Sequence, residues 1–331
     1  MKSLRYRALS ALFSGLFPGL FICAVVVRAE TDDLPPAQAD SQTELADVGD
    51  VPDGSSLIEL LPVKRRTIGD LDWHTDYNSA FRQARSEGKM LFLFFRDENN
   101  PRLADIYEKD VLASPELAEP LSRVVRAAIP ATAARPFRPP ELPDLTLLSH
   151  ASFKYMYGRE GIAMLDLTNR DSEHYGQVVS AHPFSAGRHY TVRSTKIILE
   201  LPEGSVTQRA LIYAVRLHPA APLSTTGGKC HRYLCKQARQ SSQLMAMYGS
   251  VGHHDWGTRS GEIAFQTGRM AQEVAAMSGN QALIGAAIEV VDQWYGSPSH
   301  WGILSTPAAI FGYDLVRDSA GNWWGTGLVA N

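Results

Sequence analysis

The run Met90-Leu91-Phe92-Leu93-Phe94-Phe95 constrains this chain most. A strand with one wet face alternates apolar and polar residues. Here no polar residue interrupts, so the run fits a strand buried on both faces, which needs a layer on each side. Before it, Tyr77, Ala80, Phe81 and Ala84 keep helical spacing. They predict an amphipathic helix opened by Trp73 and ended by Gly88-Lys89. After it come a helical stretch at Arg102–Val111, a strand at Val124–Ile129, and a helix near Ser149–Tyr157. Strands at Gly161–Leu167 and Gln177–Ala181 and a helix near Val192–Leu201 complete the set. Alternating strands and helices give an α/β class with a βαβ unit plus a hairpin.

At 331 residues the chain is long enough for two domains with separate cores. A net charge of -3 leaves no basic footprint, so nucleic acid is not expected as a partner. Lys2, Arg5 and Arg7 precede an apolar run from Ala8 to Val27, and Val27-Arg28-Ala29 offers small residues where a signal peptidase cuts. Residues 1–29 therefore read as a signal peptide. The same run is long enough to span a bilayer, so membrane tethering by an uncleaved segment stays open. Either way the chain is expected to be exported, to the periplasm, cell envelope or medium. Residues 30–62 are acidic, lack Lys and Arg, and are rich in Pro, Gly, Ser and Asp, as a solvated linker would be.

Past that linker the only cysteines are Cys230 and Cys235. Inside one helix, residues five apart hold their α-carbons about 8–9 Å from each other. That is too far for a relaxed disulfide. The two can pair only if Cys230 lies before the helix begins; Cys230-His231 with Cys235 could also touch a metal, and the simplest reading is two ordinary buried thiols.

The second half starts after a Pro/Thr/Gly-rich stretch, which places a boundary near residue 222 and domains at 63–222 and 223–331. Just before it, Val206–Leu217 carries apolar residues at helical spacing. Cys235–Met247 reads as a helix stopped by Gly249, with His253 and His254 in the following loop. Ala282–Tyr295 is a strongly periodic helix, with Pro298 as its stop signal and His300 in a Ser-Pro turn. Ile310–Arg317 and Asn322–Val329 flank Asp318-Ser319-Ala320-Gly321 as a hairpin.

Two resemblances follow. Trp73…Ala80…Ala84…Gly88-Lys89 plus the apolar strand resembles a thioredoxin-like domain over about residues 70 to 200. That family places Cys-x-x-Cys after the strand, but here the stretch is Asp97-Glu98-Asn99-Asn100-Pro101-Arg102. Thiol–disulfide exchange needs a thiolate, so the resemblance implies the fold without the activity. From about residue 229 to 331, the order helix, His loop, Glu segment, helix with Trp294-x-x-Ser297-Pro298-x-His300, then hairpin is similar to the CAP (SCP-like, cysteine-rich secretory protein) domain. That implies an α/β/α sandwich with a His/Glu cleft. Carried over residue by residue, the cleft is His254, Glu262 and His300, with His253 as a competing first histidine and Glu273 as the reserve carboxylate. Two neutral imidazoles and a carboxylate can bind a divalent metal such as zinc and leave a position open for water; without metal, a histidine can act as a base. The combination resembles a class of exported bacterial proteins. The expectation is a non-redox binding or scaffolding protein with an extracytoplasmic ligand or protein partner. The alternative is a metal-dependent hydrolase-like enzyme using His254, Glu262 and His300.

Overall fold

The computed structural model describes residues 64–136, 145–185, 190–221 and 226–331. The expected signal peptide, acidic linker and domain boundary fall outside them. The described chain is mixed α/β, with two mixed sheets.

The first sheet opens with a hairpin of β1 (Arg65–Ile68) and β2 (Leu71–His74). Trp73 is thus a strand residue, wholly buried, and does not open the helix. The helix α1 (Tyr77–Glu87) starts later because Asp76 stays extended and its carboxylate accepts from the Ser79 backbone N–H at 2.8 Å. Gly88 closes it in the left-handed region (φ 60). β3 (Leu91–Arg96) then runs through the middle of the sheet, as its sequence predicts. Its side chains divide with period two. Phe92 and Phe94 enter one buried cluster, while Leu91, Leu93 and Phe95 enter another under α1.

α2 (Arg102–Tyr107) runs into a π-helical turn and is followed by α3 (Pro115–Ser122) and β4 (Val125–Pro130). The helix expected near 149–157 is instead two short 3₁₀ segments. His150 separates them: its backbone is extended (ψ 140) and its ring accepts from the Ser152 N–H. β5 (Gly161–Leu165) and β6 (Val178–Pro183) complete the sheet in the order β1-β2-β4-β3-β5-β6. β2, β4 and β3 are parallel; β5 runs against β3 and β6 against β5.

α4 (Val192–Leu199) and α5 (Val206–Leu217) follow, each started by a capping box, Thr191/Ser194 and Ser205/Gln208. The second sheet has the order β7-β9-β10-β8, from β7 (Lys229–Cys230), β8 (Ala271–Ser278), β9 (Ile310–Arg317) and β10 (Trp323–Ala330). Its helices are α6 (Arg232–Tyr248), α7 (Trp256–Thr267), α8 (Leu283–Tyr295) and α9 (Pro298–Ser305). On β10, Trp324 and Leu328 join clusters with Met245 and Leu234 of α6. Gly325 faces Val290 of α8. The sheet is therefore covered on both faces. α5 packs against β6 of the first sheet and against α8 and β9 of the second. Accordingly one buried cluster runs from Ile68 through α5 to Val329.

α8 ends at Tyr295, ahead of Pro298, as the sequence predicts, but Pro298 then opens a further helix. It takes the first position of α9, where its missing N–H has no partner to lose and its φ is already helical. His300 therefore stands on a helix and not in a turn.

Candidate functional site

Gly249, in the left-handed region (φ 65), ends α6 and releases a short loop that carries His253 and His254. Asp255 (φ 55) turns that loop into α7. α7 brings Arg259 back under the loop, and edge strand β8 places Glu273 on the face that α6 covers, alongside Ala271 and Ala275.

These elements join His253, Glu273 and Arg259. Glu273 Oε2 lies 3.0 Å from His253 Nδ1, and Oε1 accepts from Arg259 at 2.8 Å. Arg259 is 3% exposed; it also donates to the backbone carbonyls of His254 and Gln237, with its guanidinium 5.5 Å from the Trp256 ring centre. Burial pushes the Glu273 carboxyl up, but the bonds from His253 and Arg259 outweigh it and hold the group below the ordinary range. Glu273 is thus a carboxylate, which can only accept, so His253 Nδ1 carries the proton. In neutral His253, Nε2 is then left with its lone pair. The His253 side chain is 43% exposed, and among the described residues none hydrogen-bonds its Nε2.

His300, half-buried on α9, has its ring centre 5.8 Å from that of His253, nearly edge to face (76°). Burial, then the neighbouring His253, push its imidazole below the ordinary value of 6.5. At neutral pH it is an uncharged donor and acceptor. The result is two adjacent imidazoles, one locked in tautomer by a buried carboxylate, at a solvent-facing position.

The other candidates point elsewhere. His254 Nε2 faces the Ser250 carbonyl at 3.1 Å, and its ring leans on Tyr248. Glu262 is exposed on α7, where it lines an open depression of about 470 Å³ with Tyr233, Gly261, Phe265 and Gln266. Among the described residues no group of three or more His, Cys, Asp or Glu side chains could hold a metal ion. The histidine that meets His300 is His253, and the carboxylate that reaches it is Glu273. Sequence reasoning missed Arg259. Its one signal is a carboxylate, Glu273, alternating at period two with Ala271, Ala275 and Met277 on one face of a strand, which demands a cationic partner.

No protein family, curated protein or solved structure matches the chain.

Proposed function

We propose that the protein is an extracytoplasmic binding protein whose C-terminal half captures a small polar ligand between His253 and His300. The carrying observation is the Arg259–Glu273–His253 chain. A buried ion pair fixes one imidazole so that its free nitrogen faces solvent beside a second imidazole. Such a pair suits a ligand with hydroxyl or amide N–H groups, as in sugars and peptides, because the lone pair on His253 accepts and His300 can do either.

The architecture in this reading is a thioredoxin-like layer followed by a CAP-like sandwich. Its supports are the order β2-β4-β3-β5-β6 with β5 and β6 in alternating direction, and the second sheet enclosed by α6 and α8. In the first half, Asp97–Arg102 stand where that fold family places its thiols, which supports a non-redox role for that half. Export rests on the basic and apolar N-terminal sequence. The hydrolase alternative draws no support from the geometry, since His254 turns to the Ser250 carbonyl and Glu262 lines a separate depression.

The test is NMR titration of the histidine ring protons with acetylated amino sugars and short peptides. The expected result is a shift of His253 and His300 signals that is absent from His253→Ala. Ligand-induced shifts that persist unchanged in His253→Ala and His300→Ala would sink the reading.

A further inference from the structure

Cys230 is the last residue of β7, and α6 begins only at Arg232, with extended His231 between (φ -111, ψ 115). The helical spacing that would keep the two cysteines apart does not apply to them. Two features hold them together. The Lys229 and His231 N–H groups donate to the carbonyls of Ala309 and Phe311 at 2.9 and 2.8 Å, which pins Cys230 to β9. Gly312 then lets the first turn of α6 settle on β9, since a Cβ there would lie 2.4 Å from the Cys235 nitrogen. The sulfurs end 3.6 Å apart, both as free thiols. Reaching the ~2.05 Å of a disulfide takes a movement of roughly 1.5 Å.

The two sulfurs are not equivalent. Cys235 is buried (4% exposed), while Cys230 is half-buried and within reach of a small reagent. The hydrogen bond from Cys235, then the positive charge of Arg216 and Arg209, push the Cys230 thiol down against the effect of burial. That hydrogen bond, together with burial, pushes the Cys235 thiol up. Arg209 is 1% exposed; its guanidinium donates to Ser180 Oγ, to Met164 Sδ and to the carbonyls of Ile198, Leu201 and Pro202, and its charge is shared between buried Asp166 and Cys230.

We propose that Cys230 and Cys235 form a dithiol–disulfide exchange site, with Cys230 as the attacking sulfur, Cys235 as the resolving one, and low-molecular-weight disulfides as substrates. The inference goes beyond the ligand-cleft reading and departs from the expectation of a wholly non-redox protein. In the first step the Cys230 thiolate attacks one sulfur of R–S–S–R. The S–S bond breaks, a mixed disulfide forms on Cys230, and the departing RS⁻ takes the proton Cys230 had released. In the second, Cys235 loses its proton and attacks Cys230 Sγ; the second RS⁻ leaves and takes that proton. Two protein thiols are oxidised to one disulfide and one R–S–S–R is reduced to two RSH.

The test uses the full, reduced chain in oxidised glutathione, with peptide-level mass spectrometry to separate these thiols from Cys23. The expected results are a Cys230–Cys235 disulfide that dithiothreitol reverses without unfolding, and alkylation of reduced Cys230 at least about tenfold faster than Cys235. Cys235→Ser should accumulate glutathione on Cys230, whereas Cys230→Ser should take none on Cys235; circular dichroism confirms that both variants fold. Thiols that stay reduced, a bond that resists dithiothreitol until the protein unfolds, or an adduct on Cys235 would each overturn the proposal.

Discussion

Asp314 carries the sharpest stability prediction. It is 0% exposed on β9, yet burial pushes its carboxyl up only to about 6 from an ordinary 3.8. Bonds from Thr207 Oγ1 at 2.6 Å, Gln208 Nε2 at 3.1 Å and the Leu315 N–H at 2.8 Å, with Arg239 at 3.9 Å, limit the rise. Between pH 3.8 and about 6 the folded state keeps a proton that the unfolded chain has released. Stability therefore falls with rising pH across that window. It is greatest below the unfolded value and lost as pH passes the folded one. A shift of about two units at ~1.4 kcal/mol per unit is about 3 kcal/mol. Asp314→Asn keeps the shape and an acceptor for Thr207 but cannot ionise. Urea unfolding of both chains, followed by tryptophan fluorescence between pH 4 and 7.5, isolates this group, because other titrations cancel in the difference. The stability difference between parent and variant should change by about 3 kcal/mol across the range, in the variant's favour at high pH. A difference that does not vary with pH would refute the reasoning.

Glu273→Gln leaves buried Arg259 without its carboxylate, so unfolding should show a loss of about 3–5 kcal/mol at pH 7. Because the Glu273 carboxyl is held low, its stabilisation is present above its unfolded value and is lost as pH falls through the folded one; the variant should lack that acid-side loss, and an unchanged acid limb would count against the ion pair. His300, held low, should titrate below 6.5 by ring-proton NMR, and a midpoint at or above 6.5 would contradict its burial beside His253. Gly312→Ala forces a methyl against the Leu234–Cys235 backbone and should cost at least about 1–3 kcal/mol in thermal or chemical unfolding; a neutral outcome would mean that α6 is not seated on β9 as described.

What the sequence makes legible is periodicity. Met90–Phe95 announces a strand covered on both faces because no polar residue interrupts it, and Val206–Leu217 and the final hairpin emerge almost residue for residue. Trp73 misleads because apolar spacing alone cannot separate a strand end from a helix start; the decisive signal is Asp76 as cap. Strand β8 has Ala at three of its eight positions, Ala271, Ala275 and Ala276, all buried; such small residues give no β-rich signature, so Glu273 stands out by spacing alone.

 The choice between His253 and His254 was not legible either. A loop has no side-chain period: His253 meets Glu273 and His300 while His254 turns to the Ser250 carbonyl and Tyr248, and the loop closes through the left-handed turn at Asp255.

Helix α5 has a consequence for how this chain can be recombined. Eight of its residues, Thr207 and Arg209 through Val215 among them, are buried, and it touches β6 on one side and α8 and β9 on the other. A helix that closes one sheet can travel with that sheet when genes are cut and joined. This one closes both, so a chimera that takes it from either parent inherits one native seam and one foreign seam. Crossovers placed before residue 205 or after residue 217 should therefore fail at different surfaces, the first against β6 and the second against α8. Substitutions along α5 can be accepted only when they suit both neighbours at once, which ties the drift of the N-terminal sheet to that of the C-terminal one.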